Sequence, residues 1–218
     1  FSVLSLEALA KSSYKICCVY TQPPKKSNRG RKLNSSPIHK IAQNLNLAIR
    51  SPNSLKTDEE LFFFKNLNPD IVVVVAYGQL IPKKFLDIPK KGFLNIHASL
   101  LPKWRGAAPI QRAVMNLDKE TGVSMMRITE ELDTGPVMSK IKIEIKPSDT
   151  SYKISEKLSK ISSENIVKTL DSIFNDKARF TKQENNFATY AKKILKTEGK
   201  IDWNNNANNI IGKINSLN

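Results

Sequence analysis

The chain is short of the residues that cross-link a protein, bind a metal or span a bilayer. It has two cysteines in 218 residues, and they are neighbours, Cys17 and Cys18. Adjacent cysteines in a strand-like apolar run do not make a structural bridge, so reduced, buried thiols of a cytosolic protein are expected. There are two histidines, His39 and His97, and no His/Cys/carboxylate group at ligand spacing, so no metal is expected. No run reaches the about 18 to 20 apolar residues of a membrane span, and no signal peptide is recognised, which points to a cytoplasmic protein with no membrane partner. Acidic residues are scarce, 20 against 35 Lys and Arg, for a formal net charge of +15. That excess fits a polyanionic partner such as nucleic acid, or a lysine-rich composition serving solubility. Apolar residues make up 40% of the chain, enough for one globular domain with a real core, or a domain and part of another.

The order of elements alternates. Residues 1–11 have the apolar periodicity of a helix, and 14–21 read as a strand. Residues 22–37 form a loop with three prolines and five basic side chains, Lys25, Lys26, Arg29, Arg31 and Lys32, a composition suited to phosphate contacts or to plain solvation. Helices are expected over 37–46, with Ser35 or Ser36 as cap, and over 57–67, where Phe62, Phe63 and Phe64 read as core. Asp70 to Val75 is an unbroken apolar strand of the kind buried on both faces of a parallel sheet. Gly122–Ile128 and Val137–Ile145 alternate, as half-exposed antiparallel strands do. Residues 151–174 read as a long amphipathic helix capped near Asp149 or Thr150. Residues 192–206 read as a linker, followed by a short helical stretch over 207–217 without a terminator or a further domain to pack against.

One stretch carries chemistry, GFLNIHASLLPKWRG at 92–106. Phe93, Leu94 and Ile96 read as a strand that delivers Asn95 and His97 to one side, two residues apart. An amide can donate to a developing oxyanion and an imidazole can move a proton. Taken alone, His97 is equally a strand cap, and Asp133 equally a turn residue before Thr134-Gly135.

Residues 95–135, with NIHASLLPKWRGAAPIQRAV and LDTG, resemble the formyltransferase family that uses 10-formyltetrahydrofolate. TQPPKKSNRGRKLNSSPIHK, VVVVAYGQLIP and YAKKILKTEGKIDW extend the likeness over nearly the whole chain, toward the branch that formylates methionyl-tRNA. The resemblance implies an α/β, Rossmann-like catalytic domain with a mostly parallel sheet. It implies Asn95, His97 and Asp133 as catalytic residues. Ser99, Leu100, Leu101 and Pro102, with Tyr77 and Gly78, would line the folate pocket, and the five basic loop residues would contact tRNA. The co-substrate would be 10-formyltetrahydrofolate and the partner initiator methionyl-tRNA, with the enzyme a monomer. The family's opening strand and Gly-Thr-Pro turn have no counterpart, and its carboxy-terminal β-barrel is not reached. The expected division is therefore a catalytic domain over 1–190, lacking its first strand, and a linker over 191–218. On that basis the bare chain is expected to be a poor enzyme. Glycinamide ribonucleotide and sugar-nucleotide formyltransferases share the core, and a silent RNA-binding remnant is the reading from another class.

Overall fold

The computed structural model describes residues 1–27 and 32–218. It opens with α1 (Val3–Ala10), then β1 (Val19–Tyr20), and a hairpin of β2 (Lys25–Ser27) and β3 (Lys32–Asn34). Next come α2 (Pro37–Asn44), β4 (Ile49–Arg50), α3 (Asp58–Leu67), β5 (Val72–Val74), α4 (Lys83–Leu86) and β6 (Phe93–His97). The second half holds β7 (Arg105–Gly106), α5 (Pro109–Met115), β8 (Glu120–Arg127), β9 (Val137–Glu144), α6 (Ser151–Phe174), β10 (Tyr190–Ala191) and α7 (Ala207–Leu217).

Helix starts follow local chemistry. The Ser36 hydroxyl accepts the His39 N–H and Pro37 stands at the first turn of α2. Thr57 caps α3, whose first turn carries Asp58, Glu59 and Glu60, a placement the helix dipole favours. Thr150 caps the 24-residue α6.

The main sheet runs β5-β6-β8-β9. The pair β5·β6 is parallel, while β6·β8 and β8·β9 are antiparallel. Leu94, Ile96, Val123 and Met125 pack one face of it against Ile110 and Val114 of α5 and Ile154, Leu158, Ile166, Leu170 and Ile173 of α6. A second cluster, Leu55, Phe64, Phe85 and Phe93, fills the other side under α3 and α4. The expected α/β, Rossmann-like layering is present, with parallel pairing again in β1·β4 and β7·β10.

Strands β1 and β4 form a sheet of their own, not bonded to β5. Between the two sheets lies an apolar cavity of about 1030 Å³, lined by residues that include Leu6, Val19, Tyr20, Phe93 and the run Ile71 to Val75. It lies between β1 and β5, which are not hydrogen-bonded to each other. It also explains a difference from expectation: Val72, Val73 and Val74 are only half-buried, because the strand's outer flank meets the cavity and not a neighbour.

Other expectations are corrected by packing. Only Val19 and Tyr20 of the 14–21 run enter a ladder. Cys17 is exposed and Cys18 half-buried, since both stand ahead of the two-residue ladder. Phe64 is core, but Phe62 is 68% exposed and Phe63 lies under the Arg50 guanidinium, 4.2 Å from its carbon. Strand β8 is buried from Thr121 to Met126, not half-exposed, because it is flanked by β6 and β9 and covered on both faces. Nor is α7 unpartnered. It packs on α5, with a glycine at 212 because a Cβ there would lie 2.7 Å from Leu117 Cδ2. The segment before it is anchored too, through the ion pair of Arg112 and Glu198 at 2.6 Å. No helix among the described residues is long and apolar enough to cross a membrane.

Candidate active site

The register of β6 decides which side chains meet. Val74 lies beside Asn95 on one flank, while Met126 and Ser124 face Asn95 and His97 on the other. Leu94 and Ile96 point into the core under α5 and α6, so Asn95 and His97 share the opposite side. His97 is 6% exposed. Asn95 is half-buried, and among the described residues its amide has no hydrogen-bond partner.

His97 Nε2 lies 2.9 Å from the Trp104 carbonyl oxygen. A carbonyl only accepts, so Nε2 carries the hydrogen. Nδ1 is then the edge turned to the site, where Asp133 Oδ2 stands 3.6 Å away. That same carboxylate oxygen accepts the Gly106 N–H at 2.8 Å. Both contacts require an unusual backbone. Trp104 and Asp133 have φ of 61° and 53°, uncommon for residues with a Cβ and concentrated at functional sites. Gly106 has φ 116°, and a Cβ there would lie 2.9 Å from the Ala191 carbonyl oxygen. At Gly135 a Cβ would overlap the Arg127 carbonyl oxygen, so the turn after Asp133 also depends on glycine.

The loop after His97 is held from inside. The Ser99 hydroxyl donates to the Lys103 carbonyl at 2.6 Å. The Ser124 hydroxyl donates to the Ser99 carbonyl and accepts the Leu101 N–H. Ser99 and Leu101 are wholly buried in the protein, leaving Leu100 and Pro102 half-buried at its surface. Of the four, only the latter two keep solvent-accessible surface.

Tyr77 and Gly78 follow β5, at the same end as Asn95 and His97 because β5 and β6 run parallel. The Tyr77 hydroxyl is buried and, among the described residues, unpaired. Burial first, and then the charge of Glu60, push its pKa up to about 12, so it is an O–H donor throughout the physiological range. The Tyr77 carbonyl accepts from Gln22 Nε2 at 2.9 Å, and Gln22 in turn accepts from Lys25. The base of the basic hairpin is thereby tied to the end of β5. Arg29 and Arg31 lie outside the described residues, as do the side chains of Lys26 and Lys32.

Two participants are absent from the sequence reading. Arg105 is 2% exposed and donates through Nε and Nη2 to Gln183 Oε1, at 3.1 and 2.9 Å. Gln183 donates to the carbonyls of Asp133 and Gly135 at 2.8 and 2.7 Å. Nothing in the sequence links residues 78 positions apart.

A model of the formyl transferase family matches residues 2–170. Methionyl-tRNA formyltransferase of Pelagibacter ubique is 56% identical over all 218 residues, which cover 70% of that protein. The same-named protein of Roseobacter denitrificans is 44% identical over 210 residues, 96% of this chain and 68% of that one. The chain belongs to the methionyl-tRNA formyltransferase family. Solved structures agree on the formyltransferase fold. A sugar 3N-formyl transferase crystallised with dTDP and 5-N-formyl-THF superposes with a TM-score of 0.76 at 21% identity, covering 99% of this chain and 75% of that one. Phosphoribosylglycinamide formyltransferase of Anaplasma phagocytophilum gives 0.67 at 22% identity, over 79% and 82% of the two chains. In this formyltransferase the imidazole of residue 97 and the carboxylate of residue 133 come together, with the residue 95 amide on the same face of the strand.

Proposed function

We propose that this chain moves the formyl group of 10-formyltetrahydrofolate to the α-amine of initiator methionyl-tRNA, for translation initiation in the bacterial cytoplasm. One observation carries the reading. An imidazole pinned by Trp104 faces the Asp133 carboxylate at 3.6 Å, beside an Asn95 amide with no partner among the described residues.

The amine, as free base, attacks the formyl carbon and the carbonyl electrons move to oxygen. Asn95 donates an N–H to that oxygen, a contact typically worth about 3 kcal/mol in such transition states. The His97 imidazole, held at Nε2 by the Trp104 carbonyl, turns its Nδ1 edge to the same place, beside Asp133. Asp133 keeps Oδ2 on the Gly106 N–H and takes the proton the amine sheds, directly or through water. As the bond from the formyl carbon to folate N10 breaks, that proton ends on N10. No bond to the protein forms.

Half-buried Leu100 and Pro102 and exposed Gly78 would contact the pterin, while Tyr77, Ser99 and Leu101 shape the site from within. Lys25, Lys26, Arg29, Arg31 and Lys32 would take the tRNA phosphates. In this reading residues 1–190 are the catalytic unit, 191–218 are a linker segment docked against its α5, and the protein acts as a monomer. The test is transfer of labelled formyl groups to methionyl-tRNA. Label appearing on it, with tRNA affinity falling steeply as salt rises, is the expected result. Transfer to a small amine with no salt-dependent tRNA binding would remove the acceptor assignment.

A further inference from the structure

The segment 181–191 lies beyond the family match, which ends at residue 170, yet it touches both halves of the site. Thr181 exchanges both backbone bonds with Val137, just after the Asp133 turn. The Thr189 hydroxyl accepts the Trp104 N–H at 2.9 Å, and it is the Trp104 carbonyl that accepts from His97. Ala191 accepts the Ala107 N–H at 2.8 Å. Between these anchors stands Gln183, whose amide is fully used. Its Oε1 takes two bonds from Arg105 and its Nε2 gives one each to the Asp133 and Gly135 carbonyls. The amide has one possible orientation, because a guanidinium only donates and a carbonyl only accepts. Arg105 is itself locked by a further bond to Asn185 Oδ1 at 2.9 Å.

We propose that Gln183 is a positioning residue, which with Arg105 behind it holds the Asp133 turn so that the carboxylate stays on the Gly106 N–H and in reach of His97. This rests on Asp133 acting in formyl transfer. The turn needs holding because Asp133 sits at φ 53°, a conformation that persists only where the surroundings impose it. Arg105 and Gly106 approach Asp133 from two sides, one through Gln183 and one directly. Displacing a reacting group by about 1 Å can cost on the order of 100-fold in rate.

The test uses Gln183→Glu, which keeps the acceptor for Arg105 and removes both donors. Amide hydrogen exchange reads geometry without needing turnover. Gly106 N–H is expected to exchange at least about tenfold faster than in the parent, while Ala107 N–H, bonded to Ala191, is unchanged. In the kinetic arm, kcat falls about 10- to 100-fold with KM nearly constant, and the double variant with Asp133→Asn is no slower than Asp133→Asn alone. Should Gln183→Glu not fold, Gln183→Asn, one methylene too short to reach, is read the same way. Parent-like exchange at Gly106, or losses that multiply in the double variant, would overturn the role of Gln183. Parent-like turnover by Asp133→Asn would instead remove the catalytic reading of Asp133, and the exchange result would still decide what Gln183 holds.

Discussion

His97 shows how much a single contact decides. Its bond to the Trp104 carbonyl fixes the tautomer and turns Nδ1 toward Asp133. Asn95 differs, since it is placed by strand register and left unbonded among the described residues. Removing it should therefore cost rate more than stability. Asn95→Ala is expected to lower kcat by about 100- to 1,000-fold while the unfolding midpoint stays close to the parent. A large fall in the midpoint with little loss of rate would make Asn95 a packing residue. The types and spacing of Asn95 and His97 were legible in sequence because strand alternation is local. Asp133 became readable only through family likeness. Arg105 lay inside the quoted motif, but its link to Gln183 was not readable, because hydrogen bonds between distant segments leave no periodic trace.

Among the elements, the short parallel pair β7·β10 ties the loop after His97 to the segment that holds Asp133. It exists because Gly106 lets two backbones approach where a Cβ would stand 2.9 Å from the Ala191 oxygen, at φ 116°. Gly106→Ala combines that clash with left-handed strain of about 1 to 3 kcal/mol. It should lower the melting temperature and the formyl-transfer rate together, and unchanged melting would show that the pair can slip.

The docking of α7 and its approach on α5 gives a pH-dependent prediction. The Arg112 hydrogen bond, helped by the Leu195 N–H, holds the Glu198 carboxyl down to about 2, from an ordinary 4.5. A depressed acid contributes stability above its ordinary pKa and loses it as pH falls through the depressed one. The difference in urea midpoint between the parent and Glu198→Gln should thus be full at neutral pH and shrink between pH 4.5 and about 2. A difference that persists at the acid end would mean the ion pair is not its source.

The whole molecule is a sheet in two parts around an apolar cavity of about 1030 Å³. Val72, Val73 and Val74 are half-buried there although their sequence is that of a strand covered on both faces. Unpaired strand edges and exposed apolar lining both favour an added strand. A protein carrying an extended apolar segment ahead of Phe1, able to pair with β1 and β5, should unfold at higher urea than the 218-residue chain and transfer formyl groups faster. Equal midpoints would show that the cavity does not accept a strand.

What the amino-acid order determined by itself was local. Capping hydroxyls at Ser36, Thr57 and Thr150 started helices, apolar periodicity set their faces, and alternation put Asn95 and His97 on one side of a strand. These follow from interactions over a few residues, so one segment suffices to read them. Burial of β8, exposure of Phe62 and Cys17, and the docking of α7 were decided by which elements became neighbours. So was the site's second half. Asp133 meets His97 where the chain returns at 181–191 to bond both the Asp133 turn and the loop that carries Trp104, Arg105 and Gly106. Contacts of that kind are made between segments whose separation carries no signal, and only the packed fold brings them together.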